Sequence, residues 1–398
     1  MNVLAANSIL LPGGRVAAAT VAIHDGVITA VTVGETLHQA RQRLPRAQVV
    51  AVRGLLTPGF VDLHTHGFCG HDLSTGEVAD ILAMADALPR TGVTAFVPTL
   101  SSASPDETLR QVGRIREAAE RQRTGATILG IRLEGPYLSP EKRGAQSRAA
   151  LRPPSLNEFD RLVSAAATWI KMIDVAPELP GAYDLIHRAC SSRVQPCIGH
   201  TAATAEVADL AIRAGASHCA HLFNAMPPLH HRNPGPVAVL LGSPTTTVEI
   251  IADGVHLHPA TLTMTARAKG PRRCALVTDA CPAAGLSDGD YVVSGQSVLV
   301  RDGSARLADG TLAGSMLTLD HALRTLHEST TIPLTWMLRM AAAAPAFILR
   351  DHTRGRLVPG ARADIVELDE TLHVRRVWLG GNGIPVSSVP EGRRSRSC

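Results

Sequence analysis

Hydrophobic and polar positions alternate at a period of two from Val3 to about Val52, broken by turn dipeptides as in SILLPGGRVAAATVAIHDGVITAVTVG. That alternation predicts short antiparallel strands. The same texture returns only near the end, in GRLVPGARADIVELDETLHVRRVWLGG. Between the two, short apolar runs alternate with amphipathic helical stretches, the signature of parallel βα units. Eight runs read as strands: GFVDLHTH, TAFVPTL, TILGIRLEG, WIKMIDVAPE, QPCIGHT, HCAHLFN, TVEIIADGV and CALVTDA. Helical patterns such as EVADILAMADAL, PDETLRQVGRIREAAERQR, SLNEFDRLVSAAA and TAEVADLAIRAG separate most of them. Parallel strands in this number close into a barrel. The expected architecture is α/β: a (β/α)8 TIM barrel over residues 57–352, with a small β-sandwich domain that residues 1–56 and 353–390 build together. A Gly-rich β pattern from about Asp288 to Gly310 breaks the rhythm and is expected to be an excursion from the loop after the eighth strand.

The unusual polar residues fall at the ends of those strands. His64 and His66 close the first, Glu134 the third, His200 the fifth and Asp279 the eighth, while His221 lies in the sixth. Barrel enzymes assemble their active sites on that C-terminal rim. Side chains two apart on a strand share a face, so His64 and His66 both point inward. Burying paired imidazoles without a partner carries a desolvation cost, and Glu134, set between Leu133 and Gly135, needs a cation or protons nearby. These residues together point to a divalent metal site. Nitrogen and carboxylate ligands suit Zn2+ or Fe2+ better than Mg2+ or Ca2+, and the ligand number permits one ion or two. A P-loop, a dinucleotide-binding glycine motif after a strand and a G-x-S-x-G nucleophile elbow are all missing from the sequence. The other histidines, including His187, His218, His230, His231, His321 and His327, are expected on helices or in loops as structural or exposed residues.

Composition narrows the partners. The 398 residues exceed the size at which a single core keeps growing, in keeping with one large domain and a satellite. Aromatic residues make up only 3%, which leaves few rings for base stacking and argues against nucleic-acid binding. The net charge of +4 comes almost wholly from Arg, since Lys occurs only at Lys142, Lys171 and Lys269. Local basic character is confined to EGRRSRSC after Pro390, expected to be a disordered tail over 391–398. Seven Cys are scattered singly without C-x2-C spacing, as suits reduced thiols. No signal-peptide pattern opens the chain and no run approaches about 18 apolar residues, so a soluble cytoplasmic protein without a membrane partner is expected.

Two motifs, TPGFVDLHTHG and GRLVPGARADIVELD, resemble the amidohydrolase superfamily. Four more, LEGPYLSPEKRGA, GHT, HLFNAMPPLHHRNPG, and VTDA followed by GTLAGS, are similar to the N-acetylglucosamine-6-phosphate deacetylase family over nearly the whole chain. The resemblance implies hydrolysis of an N-acetylated amino-sugar phosphate to the free amine and acetate. It makes Glu134, His200 and His221 ligands of a principal metal, and His64 and His66 ligands of a second, with Glu134 bridging. It makes Asp279 the catalytic acid/base. It places Ala145, Asn224, Ala225, Ala313, Gly314, Ser315 and Met316 along the sugar, and gives the phosphate to His256 and to an Arg232 that reaches across a homodimer interface. A bound cation lowers the pKa of water from about 15.7 to about 7, and Asp279 would carry the proton to the leaving amine. The cation or His256 would polarise the acetyl oxygen.

The chain departs from the family motif where a KGAH-type element is usual, reading Lys142-Arg143-Gly144-Ala145-Gln146. Gln146 hydrogen-bonds but cannot carry charge. The expectation is unaltered metal chemistry and an open choice of sugar or 6-substituent, for instance N-acetylgalactosamine 6-phosphate. A cyclic-amide hydrolase with Lys171 carboxylated between two metals is a second enzyme class. A non-enzymatic binding protein on the same fold is a third possibility.

Overall fold

A computed structural model describes residues 2–384, so the basic tail lies outside the described residues. Each of the eight apolar runs contains a strand: β1 (Phe60–Thr65), β2 (Val93–Ser101), β3 (Ile131–Glu134), β4 (Ile170–Val175), β5 (Gln195–Ile198), β6 (His218–Cys219), β7 (Thr247–Ile251) and β8 (Cys274–Val277). They pair in parallel in sequence order. Between β8 and β1 the ring is closed by the bridge Thr65 to Ala280 and by the Asp279 N–H donating to the His64 carbonyl at 2.9 Å. Helices separate most of the strands and cover the outside. The helix Pro105–Arg121 shows why they form: Ser104 caps it, Pro105 opens it, and Thr108, Val112, Ile115 and Ala118 make the buried stripe.

Both ends of the chain join one seven-stranded sheet. Residues 48–58 sit at its centre, parallel to 2–10 and antiparallel to 365–368. The period of two is visible in its core, where Ala19, Val21 and Ile23 are buried with Leu4, Leu56 and Ile365. The Gly-rich segment is a separate antiparallel sheet of β9 (Gly289–Val293), β10 (Gln296–Arg301) and β11 (Ser304–Arg306). Val298, Val300 and Ala305 pack it against Cys281, Ala283 and Ala313, and Gln296 Nε2 donates to the Ala145 carbonyl at 2.7 Å. That small sheet becomes one wall of the cavity on the barrel rim. No helix among the described residues is long and apolar enough to cross a membrane.

Candidate active site

Alternation along the barrel strands stacks buried polar residues in two levels. The lower holds Asp62, Arg132, Asp174, His218 and Glu249, all wholly buried. Arg132 donates to both oxygens of Asp174, Nε at 3.0 Å and Nη2 at 2.9 Å, and through Nη1 to Glu249 Oε1. His218 contacts the same Oε1 at 2.9 Å and Thr247 Oγ1 at 2.6 Å. Glu249 Oε2 accepts from His64 Nδ1 and from the His221 N–H, each at 3.1 Å. Burial would raise the Glu249 pKa, but Arg132 and His218 outweigh it and hold the carboxyl well below its usual range. Asp62 has no such cation: burial lifts it to about 6 despite hydrogen bonds from Thr278.

The upper level gathers His64, His66, Glu134, His200, His221 and Asp279. One oxygen of Glu134, Oε1, has the Nε2 atoms of His221 at 3.0 Å, His200 at 3.1 Å and His64 at 3.3 Å around it. The other, Oε2, lies 3.2 Å from His66 Nε2. Asp279 Oδ1 is 3.3 Å from His66 Nε2 and 3.5 Å from His64 Nε2. Three of these residues share a local design: His200, His221 and Asp279 each stand two positions beyond their strand, at φ of 45°, 20° and 49°. Left-handed backbone costs a non-glycine residue roughly 1–3 kcal/mol, and such strain is typical of functional turns. His221 is thus past β6 rather than in it. Gly314, at φ 72°, permits the same turn on the partner segment, since a Cβ there would lie 2.8 Å from the Asp279 carbonyl.

Hydrogen bonding decides what the cluster wants. His200 Nδ1 lies 2.9 Å from the Lys142 carbonyl, and His64 Nδ1 lies 3.1 Å from Glu249, so both carry the proton on Nδ1. In the neutral rings their Nε2 lone pairs would then face the Glu134 carboxylate, and His64 Nε2 has no hydrogen-bond partner. Acceptor facing acceptor in a buried site requires a proton or a cation between them. The pKa directions agree. Burial opposes the charge on Glu134, yet His64, His200 and His66 hold it well below the usual range. Burial opposes Asp279 as well, and His64 and His66 bring it down to about 2. His66 resists burial and is pushed up to about 9 by Glu134 and Asp279. The donor set fits a divalent cation in two overlapping groups, His64 with Glu134 and His221, and His64 with His66 and Asp279.

A cavity of about 360 Å3 opens above this cluster. His66, Glu134, His200, His221 and Asp279 form its floor, and Ala145, Asn224, Ala225, His256, Ala313 and Gly314 are among its walls. His256 gives Nδ1–H to Asp253 Oδ2 at 2.6 Å; burial lowers its pKa, but Asp253 outweighs this and raises it. Ser315 and Met316 do not line the cavity. The Ser315 hydroxyl is spent on the Thr278 carbonyl at 2.6 Å, and Met316 packs beside Cys281. Arg232 is exposed on a loop outside the cavity, against His231 at 2.8 Å. Lys171 points away from the rim, donating at 2.9 Å to the carbonyl of Thr168 just before β4.

Comparison with known proteins fixes the family. The pattern of the amidohydrolase family matches residues 55–384. The chain belongs to that family. It is 35% identical over 383 residues to N-acetylgalactosamine-6-phosphate deacetylase of Escherichia coli O157:H7, covering 96% of this chain and 98% of that one. It is 34% identical over 368 residues to N-acetylglucosamine-6-phosphate deacetylase of Bacillus subtilis strain 168, with 91% of each chain covered. A Mycobacterium smegmatis N-acetyl-D-glucosamine-6-phosphate deacetylase variant, solved in complex with N-acetyl-D-glucosamine-6-phosphate, superposes with a TM-score of 0.88. That match has 35% identity and covers 96% of this chain and 98% of that one.

Sequence reasoning missed two things about this amidohydrolase. His218 is not on a helix or loop: it is a buried β6 residue in the lower level, a place its position in HCAHLFN already implied. Arg132 and Asp62 were legible by the same rule, each two residues before a rim ligand. Gln146 is the second miss, because its Nε2 donates at 2.5 Å to Oε2 of Glu134, a residue of the candidate metal group, a contact the sequence did not indicate.

Proposed function

We propose that this chain hydrolyses the acetamide of N-acetyl-D-glucosamine 6-phosphate, yielding D-glucosamine 6-phosphate and acetate. The observation that carries the proposal is the Asp279 carboxylate set beside imidazoles that converge on the shared Glu134 carboxylate, on the floor of the rim cavity. Glu134, His200 and His221 would hold the principal cation, Zn2+ or Fe2+, and His64 and His66 would serve a second. When bound, the cation acidifies water and polarises the acetyl oxygen. The Asp279 carboxylate would take a proton from the attacking water and return it to the departing nitrogen. Asn224, Ala225, Ala145, Ala313 and Gly314 surround the sugar. His256, its Nδ1 fixed by Asp253, turns Nε2 to the phosphate.

Arg232 stands clear of its own cavity, and we assign it to the phosphate of a neighbouring subunit in a homodimer. The six described cysteines are free thiols, in accord with a cytoplasmic enzyme. N-acetylgalactosamine 6-phosphate is a second reading, favoured by the Escherichia coli relative that spans 96% of the chain. Acetate release from both phosphorylated epimers and from unphosphorylated N-acetylglucosamine tests the choice. The glucosamine-series phosphate should turn over fastest. Preference for its epimer would move the assignment to the second reading, and no acetate from any of the three would overturn both.

A further inference from the structure

Gln146 stands where the chain departs from the motif it resembles, and its carboxamide is locked. Oε1 accepts the Ser102 N–H at 2.8 Å, which turns the NH2 group toward Glu134 Oε2. Ser102 Oγ in turn donates to the Glu134 carbonyl at 3.1 Å. The surrounding segment is fixed as well. The Gln146 N–H donates to the Arg143 carbonyl at 3.0 Å, its carbonyl accepts from Arg143 Nη1 at 3.1 Å, and Gln296 holds the Ala145 carbonyl. With Gln146 only 7% exposed, water is a poor substitute for this donor.

The two oxygens of Glu134 are thereby made unequal. Oε1 faces His200, His221 and His64, while Oε2 faces Gln146 and His66. A carboxylate bridges two cations only when each oxygen has a lone pair to give, and a donor on Oε2 competes for one. We infer that Gln146 is a positioning residue for Glu134: it reserves Oε2, commits Oε1 to the cation shared with His200 and His221, and leaves His64, His66 and Asp279 as a weaker second site. The inference rests on the metal reading of the rim and is independent of which sugar is cleaved. A neutral carboxamide suits the task because it donates without adding a ligand charge of its own.

Titration of Zn2+ alone into the metal-stripped full chain, against a chromophoric chelator, tests it through the ratio of two dissociation constants. The unaltered chain should bind its first Zn2+ at least about tenfold more tightly than its second, the scale on which outer partners tune metal sites. Gln146→Met keeps the length and loses the donor, so the first site should weaken, the second strengthen, and the ratio fall toward one. Gln146→His restores an N–H donor and should restore the ratio. Gln146→Glu, which puts an acceptor beside Oε2, should also narrow the gap and serves if the Met variant fails to melt cooperatively. A merely structural role would weaken both sites together and leave the ratio alone. Equal affinities in the unaltered chain, or an unchanged ratio in a folded Met or Glu variant, would overturn the inference. Normal Zn2+ titration without acetate release would count against the proposed reaction instead.

Discussion

The lower and upper levels of the barrel interior are both crowded with ionisable side chains, yet only the lower one satisfies them internally. Arg132 spans Asp174 and Glu249, His218 completes Glu249, and Asp62 accepts hydrogen bonds from Thr278 and the His64 N–H. One level up, lone pairs of His64 and His200 meet a carboxylate that itself only accepts. Buried charge alone therefore does not mark the functional site. What marks it is a surplus of acceptors that the chain by itself offsets only by taking up protons, as at His66. Glu249 links the two levels, since one of its oxygens serves Arg132 and His218 while the other orients His64 and the His221 backbone.

Substitutions should separate the levels by what they damage. Asp279→Asn removes the proton carrier but little packing, and acetate release should fall by roughly 10²–10⁴-fold with the thermal melt almost unmoved. A large drop in melting temperature would instead place Asp279 with the structural level. Arg132→Met strands two buried carboxylates and should cost about 3–5 kcal/mol of folding stability in urea denaturation. Near-wild-type stability there would break the contrast from the other side. Gly314→Ala presses a methyl group on the Asp279 carbonyl from a left-handed residue, and a loss of about 1–3 kcal/mol is expected.

The smallest effect concerns pH in metal-stripped protein, where the upper level borrows protons. The His66 pKa, raised to about 9, contributes stability that is whole below the unfolded value near 6.5 and is lost as pH rises through 9. The melting temperature of stripped protein should therefore decline from pH 6.5 to 9, and loading with Zn2+ should flatten that decline. A stripped protein with no decline across that interval would mean that His66 carries no stabilising proton.

Much of this was legible in the sequence because it depends on periodicity. The eight strands, the β excursion after the last and the joining of both ends in one small β domain follow from spacings of two and from turn residues. The rim ligands were visible as imidazoles and carboxylates at strand ends. The left-handed turns were less so, because φ at His200, His221 and Asp279 is set by tertiary contacts and not by residue type. Gln146 and Ser102 are 44 positions apart, and their link to Glu134 depends on a loop conformation that local pattern does not specify. Ser315 shows the converse: its motif suggested the sugar wall, and the fold used its hydroxyl to hold the turn at Thr278.

Anomalous diffraction at the zinc edge, from crystals of the Zn2+-loaded chain, addresses the surplus of acceptors most directly. The account predicts a peak about 2.0–2.2 Å from Glu134 Oε1, His200 Nε2 and His221 Nε2. A fully active crystal with no peak among those three atoms, or with its zinc bound away from the barrel rim, would contradict it.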